Sequence, residues 1–211
     1  MTHYSSKRFA SNAGIAIGPI LFVVALLAVI GMAMSAGNNT VGSTIASDRV
    51  RADIKSQGNL IRSKILECNQ YSFDRGDLTD KYPYSGPDGV SFGTTAQLVE
   101  SLDCLAFVNQ GTTLPNNNTN LWAGAHSATL PPPTQGFDKW MYVNAGSSGG
   151  RCIRIQPSAG NATSPGIKDG LASVSAAFST QEVVYDPSSS SQRFILWITY
   201  PSGTVNAGCQ S

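Results

Sequence analysis

Few residues in this chain have the type and spacing to do chemistry. Four cysteines, Cys68, Cys104, Cys152 and Cys209, all follow an apolar run near the N-terminus. None forms the Cys-x-x-Cys pair that zinc sites and dithiol redox centres use. An even set of separated cysteines reads as a disulfide framework, and disulfides persist outside the cytoplasm. Four cysteines allow three pairings. Cys68 with Cys104 and Cys152 with Cys209 is favoured, because each bridge then joins neighbouring segments and closes a loop independent of the other. Loop closure of this kind stabilises by about 2 to 4 kcal/mol per bridge.

The remaining candidates read as structural. Gly146-Ser147-Ser148-Gly149-Gly150 matches the Gly-x-Ser-x-Gly pattern of a nucleophile elbow, which needs a strand before the serine and a helix after it. Here a strand pattern follows, and no histidine lies beyond Ser148 to complete a Ser, acid, His order. The only histidines are His3 and His126, too few for a histidine metal site or a general-base dyad. Asp74, Asp77 and Asp80 could offer oxygens to calcium, but they lack the glycine turn and terminal bidentate glutamate of a calcium loop. They read as a solvated acidic loop. Trp122, Trp140, Trp197, Tyr142 and Tyr200 could line a carbohydrate or partner groove, yet aromatics at strand positions read first as core packing. Asn161-Ala162-Thr163 is a short glycosylation-type match of the sort that arises by chance. No catalytic residue, metal site or cofactor is expected.

Charge narrows the partners. Charged residues are 13% of the 211-residue chain, and lysine plus arginine exceed aspartate plus glutamate by 14 to 13. The longest basic run is Lys7-Arg8. Nucleic acid binding needs clustered cations to neutralise phosphates, so no nucleic acid partner is expected.

The elements that must carry these residues begin with an apolar run from Ile15 through Pro19 to Ala36 that holds no charged residue. As a helix at about 1.5 Å per residue it reaches across a bilayer's hydrocarbon core. Lys7 and Arg8 precede it and the first charge after it is Asp48, so the positive-inside bias puts the N-terminus inside and the cysteines outside. The expected location is the cytoplasmic membrane, single pass, with a periplasmic or extracellular head. A cleaved signal peptide is the alternative, but its apolar region runs about 7 to 15 residues and this one is longer. Gly18-Pro19 suits a helix start, and Gly31 with Gly37-Asn38-Asn39 predicts a bend or break. Val50, Ile54, Ile61, Ile65 and Cys68 then recur at helical steps on a polar background, which predicts an amphipathic helix.

This layout resembles the type IV pilin and pseudopilin superfamily: a short basic leader ending in Ala13-Gly14, an apolar helix starting immediately after it, an amphipathic continuation and a cysteine-containing β-rich region. The resemblance implies a leader at 1–14 cut by a prepilin peptidase between Gly14 and Ile15, a membrane helix at 15–37, a stem helix at 38–69 and a head at 70–211. It also implies that the released helix packs against identical or related subunits in a filament. Pro19 stands where the family carries a glutamate at the fifth mature position, and the opening phenylalanine is absent. That departure points to a minor or tip subunit, or to a divergent lineage. The alternative function is a membrane-tethered binding module that does not polymerise.

The head reads as a disulfide-pinned α+β domain in which a small antiparallel sheet lies over the amphipathic stem. Residues 71–93 read as loop, and Thr94-Thr95 as the cap of a short helix carrying Leu98, Val99, Leu102 and Leu105. Residues 111–136 read as loop, stiffened by Pro131-Pro132-Pro133. Two strands at 139–144 and 151–156 are joined by a glycine-rich connection. A helix at 166–180 presents Ile167, Leu171, Val174 and Phe178 on one face, and a second hairpin uses 182–185 and 192–200. The sheet is expected to have three or four strands.

Overall fold

The computed structural model describes residues 17–73, 82–85, 96–104, 120–122 and 129–210, with the side chains of the first segment described from residue 43. The chain divides into two compact units, Met1–Ser43 and Thr44–Ser211. Helix α1 is Ile17–Phe73. Pro19 falls in its first turn, where a missing N–H breaks no helical bond. The break expected between Gly31 and Asn39 is not found, and the backbone stays helical there. Glycine weakens a helix by about 1 kcal/mol but keeps its N–H donor, so flanking residues can carry the helix through it.

The second unit is α+β. Its main sheet is built from β2 (Gln97–Leu98), β4 (Met141–Asn144), β5 (Arg151–Ile155), β6 (Val183–Tyr185) and β7 (Phe194–Thr199), in the order β2-β4-β5-β7-β6. Every pairing is antiparallel. The sheet therefore has five strands, one more than the upper expectation. The extra strand comes from the segment expected to be a short helix. Gln97 and Leu98 pair with Tyr142 and Met141, Val99 N–H donates to the Trp140 carbonyl at 3.0 Å, and a 3-10 turn at Val99–Ser101 follows. Leu102 and Asp103 (β3) then pair with Tyr84 and Ser85 (β1) in a separate two-stranded ribbon. Leu98 is 36% exposed while Val99 and Leu102 are buried. The leucine spacing that looked helical is thus divided between two sheets, and Leu105 lies outside the described residues.

Alternation along the strands gives the sheet two chemically different faces. Tyr142, Ile153, Ile155, Phe194, Leu196 and Ile198 join one buried cluster with Val50, Ile54, Ile61, Ile65 and Cys68 of α1, the face predicted by periodicity. Gly58 permits the close approach of α1, since a Cβ there would lie 3.3 Å from Leu196 Cδ2. Helix α3 (Pro165–Ser175) adds Ile167, Leu171 and Val174 to the same core. It crosses α1 at Gly170, where a Cβ would stand 2.6 Å from Val50 Cγ1. The helix ends five residues earlier than expected. Phe178 still packs against Phe194 at 6.2 Å, from a turn instead of a helical face.

On the opposite face Val143, Cys152, Ile195 and Trp197 form a second cluster with Cys209. The C-terminal segment lies here, closed by a 3-10 turn at Ala207–Cys209 and by Arg154 Nη1 donating to the Gly208 carbonyl at 2.7 Å. Cys152 is bridged to Cys209, and Cys68 to Cys104. The first bridge pins the C-terminal segment to the sheet. The second ties α1 to the segment after β3.

Candidate functional site

Helix α1 presents a surface that the described residues of its own fold leave uncovered. Its buried stripe leaves the opposite stripe, Ile45, Ala52, Ser56, Asn59, Ser63 and Leu66, at steps of seven, four, three, four and three, all exposed. Ile45 is 65% and Leu66 39% exposed. From Ala52 to Ser63 the stripe carries alanine, serine and asparagine, which leave room for another backbone to approach. Ser56 and Ser63 turn their hydroxyls back to the carbonyls of Asp53 and Leu60 at 3.1 and 2.8 Å, as helix serines commonly do. Arg49 and Asp53, 3.8 Å apart, flank the stripe.

Behind this stripe α1 is locked to the head by polar as well as apolar contacts. Gln57, buried on the apolar face, accepts from Trp140 Nε1 at 2.8 Å and donates to the Pro132 carbonyl at 3.0 Å. The periodicity from Ile54 to Ile61 skips a turn, and Gln57 and Gly58 fill that gap. That skipped step was the sequence signal for a polar contact that apolar spacing could not name. Arg62 bonds Glu182 at 2.8 Å. With Ser179 N–H and Oγ also donating to Glu182, the carboxyl pKa is lowered to about 2, the bond from Arg62 being the largest cause.

The residues singled out from the sequence fall partly inside and partly outside the described residues. Gly14 and Ile15, the leader junction, lie outside the described residues. So do His3, His126, Asp74, Asp77 and Asp80. Pro19 and Ala36 lie within the α1 backbone, and their side chains are outside the described set. Among the residues whose side chains are described, no helix is long and apolar enough to cross a membrane. Trp140, Tyr142 and Trp197 are buried in the two clusters, whereas Tyr200 is 63% exposed. Asn161 is half-buried and donates to Ser158 Oγ at 2.8 Å.

Ser148 sits in a one-turn helix, α2 (Gly146–Gly149), between β4 and β5. A helical turn therefore covers the serine before the expected strand resumes, which corrects the plain glycine-rich connection. The turn is a structural clasp. Ser147 and Ser148 carbonyls accept from Ser202 and Gly203 N–H at 3.1 and 3.0 Å. Gly150 leaves it at φ +83°, where a Cβ would lie 2.7 Å from Trp197 Cζ3. Among the described residues no group of His, Cys, Asp or Glu could hold a metal ion.

Two concavities flank the short edge strand β2. One, of about 330 Å³, is lined by Leu98, Asp138, Lys139, Met141, Arg154, Ile155 and Gln156. The other, of about 290 Å³, lies along Pro131, Pro132 and Pro133 and meets the first at Lys139. Lys139 is held by Glu100 at 2.7 Å.

No protein-family model, curated protein or solved structure matches this chain.

Proposed function

We propose that this chain is a structural subunit, a pilin or minor pseudopilin, of a type IV pilus-like or secretion pseudopilus filament, anchored in the inner membrane by its N-terminal helix before assembly. The observation that carries this reading is the length of α1 relative to the head it covers. Val50 to Cys68 spans about 27 Å at 1.5 Å per residue, enough to cross five strands about 4.8 Å apart. The 57-residue helix runs far beyond that need, and its N-terminal part carries the apolar run 15–36. A helix longer than its own domain requires is a helix available to a membrane or to other subunits. The exposed Ile45 to Leu66 stripe extends the same opportunity along the head.

In this reading the partners are the membrane, a prepilin peptidase acting between Gly14 and Ile15, and identical or related subunits. The chain's own work is mechanical: its apolar helix exchanges lipid for neighbouring helices, and its head keeps that helix attached to a disulfide-pinned surface. The deciding experiment is N-terminal sequencing of the protein from the cell envelope and from sheared surface filaments. A start at Ile15 in filaments supports the proposal. A start at Met1 or Thr2 makes it a tethered domain, and a start near Gly37 makes the apolar run a signal peptide. Gly14→Leu should block cleavage and abolish incorporation.

A further inference from the structure

Among the described residues, the outer face of the main sheet is closed only in part. The C-terminal segment covers Val143, Cys152, Ile195 and Trp197, and toward the β2 edge the described residues line a cavity of about 330 Å³. Strand register accounts for its lining. Leu98 lies opposite Met141, Met141 opposite Arg154, and Arg154 opposite Ile195. Arg193 precedes Phe194, the partner of Ile155, so Arg193 is a diagonal neighbour of Arg154 on the same face. Diagonal pairs on a sheet are about 7 to 8 Å apart, within reach of long side chains.

The charge on this face is unbalanced. Arg154 donates to a carbonyl, that of Gly208, and Arg193 Nε donates to Gln156 Oε1 at 3.3 Å. Neither forms an ion pair with a carboxylate among the described residues. Asp138 also lines the cavity and accepts from Gln156 Nε2 at 3.0 Å; its one negative charge set against Arg154 and Arg193 leaves one positive charge in excess, since Lys139 is neutralised by Glu100. Like charges on neighbouring sheet positions repel. Accordingly burial, and then the nearby Arg193, lower the pKa of Arg154. A guanidinium matches a carboxylate with two parallel hydrogen bonds, so an incoming carboxylate would relieve this repulsion. The apolar side chains of Leu98 and Met141 border the same opening.

We propose that the cavity bounded by Leu98, Met141 and Arg154, with Arg193 beside it, is a docking site for an acidic peptide. An Asp or Glu side chain would lie on the two guanidiniums and a neighbouring apolar residue on Leu98 and Met141. Charge complementarity selects this occupant. A purely apolar segment would desolvate both arginines without compensation.

The test uses the full chain in detergent micelles and two synthetic peptides, acetyl-Leu-Glu-Leu-amide and acetyl-Leu-Gln-Leu-amide, with free acetate as a third probe. Binding is read from the methyl resonance of Met141. The expected result is saturable binding of the Glu peptide about tenfold tighter than the Gln peptide, as one charge-assisted contact implies, and no saturation by acetate. Arg193→Gln should weaken the Glu peptide about fivefold to tenfold while leaving the Gln peptide unchanged. Leu98→Ser should weaken both peptides about threefold. Arg193 is chosen because Arg154 also holds Gly208, and thermal unfolding checks that each variant stays folded. Equal affinity for the two peptides, saturation by acetate alone, or indifference to Arg193→Gln with the fold intact would each overturn the proposal, as would no binding at all. None of these readouts depends on leader cleavage or on filament formation.

Discussion

The two faces of the main sheet are held by different means. The inner face is covered by two helices, α1 and α3, whose buried side chains interlock with it across a large apolar cluster. The outer face is covered in part by a strap, residues 201–210, that holds one 3-10 turn and no strand and is fixed by the Cys152–Cys209 bridge and the Arg154 to Gly208 hydrogen bond. A helix satisfies its own backbone groups, so packing can carry most of its hold on a sheet, here supplemented by the Gln57 hydrogen bonds and the Cys68–Cys104 bridge. A strap does not, and it needs covalent and side-chain anchors. The packed face binds the stem to the head, and among the described residues the strapped face is left open at one end.

Breaking the inner face should cost most. Trp140→Ala removes a large buried ring and orphans Gln57 Oε1, and it should destabilise the domain by about 3 to 5 kcal/mol in denaturant unfolding of the full chain. Protection from hydrogen exchange should fall throughout α1 residues 50–68 and the strands together. The double change Cys152→Ser and Cys209→Ser acts on the outer face and should cost about 2 to 4 kcal/mol. Here loss of exchange protection should concentrate in residues 201–210 while the α1 side keeps its protection. If the two variants gave the same exchange map, the division between packed and strapped faces would be wrong.

Gly170→Ala tests the helix-on-helix layer. The new methyl would meet Val50 at 2.6 Å and the Ser47 carbonyl at 3.0 Å, so overpacking should cost about 1 to 3 kcal/mol. Unchanged stability would mean that the α1 and α3 crossing is loose. The Arg62–Glu182 link sharpens the comparison at the sheet's other edge. The Glu182 pKa is lowered from 4.5 to about 2, so its contribution is complete above the unfolded value and disappears as pH falls toward about 2. Glu182 is 38% exposed, so solvent screening keeps that contribution below about 1 kcal/mol. Glu182→Gln should flatten the acid limb of the stability profile between about pH 5 and pH 2 and leave neutral stability almost unchanged. The smallest stability effect belongs to Leu66→Ser on the exposed stripe, within about 0.5 kcal/mol. In the filament reading the same variant should nonetheless reduce filament yield after shearing, and normal yield would remove the stripe from the proposed interface.

Local periodicity by itself determined much of this architecture. The spacing of Val50, Ile54, Ile61, Ile65 and Cys68 gave the buried face of α1, because a helix places residues three and four apart on one side whatever covers them. The β-branched and aromatic runs gave both hairpins, since their strands are close in sequence and the turns between them carry their own signals. The pairing of cysteine neighbours is the one present. Tertiary structure decided the rest. Residues 97–103 have a helical leucine spacing, yet Gln97-Leu98 becomes a strand because β4 offers it a pairing edge more than forty positions later. Such an edge outweighs the few tenths of a kcal/mol per residue that separate local preferences. Gln57 became a buried link only because Trp140 and Pro132 arrive at its gap. The neighbouring arginines Arg154 and Arg193 meet only through the register of β5 with β7. Groups distant along the chain are brought together by pairing and packing, which no local pattern records.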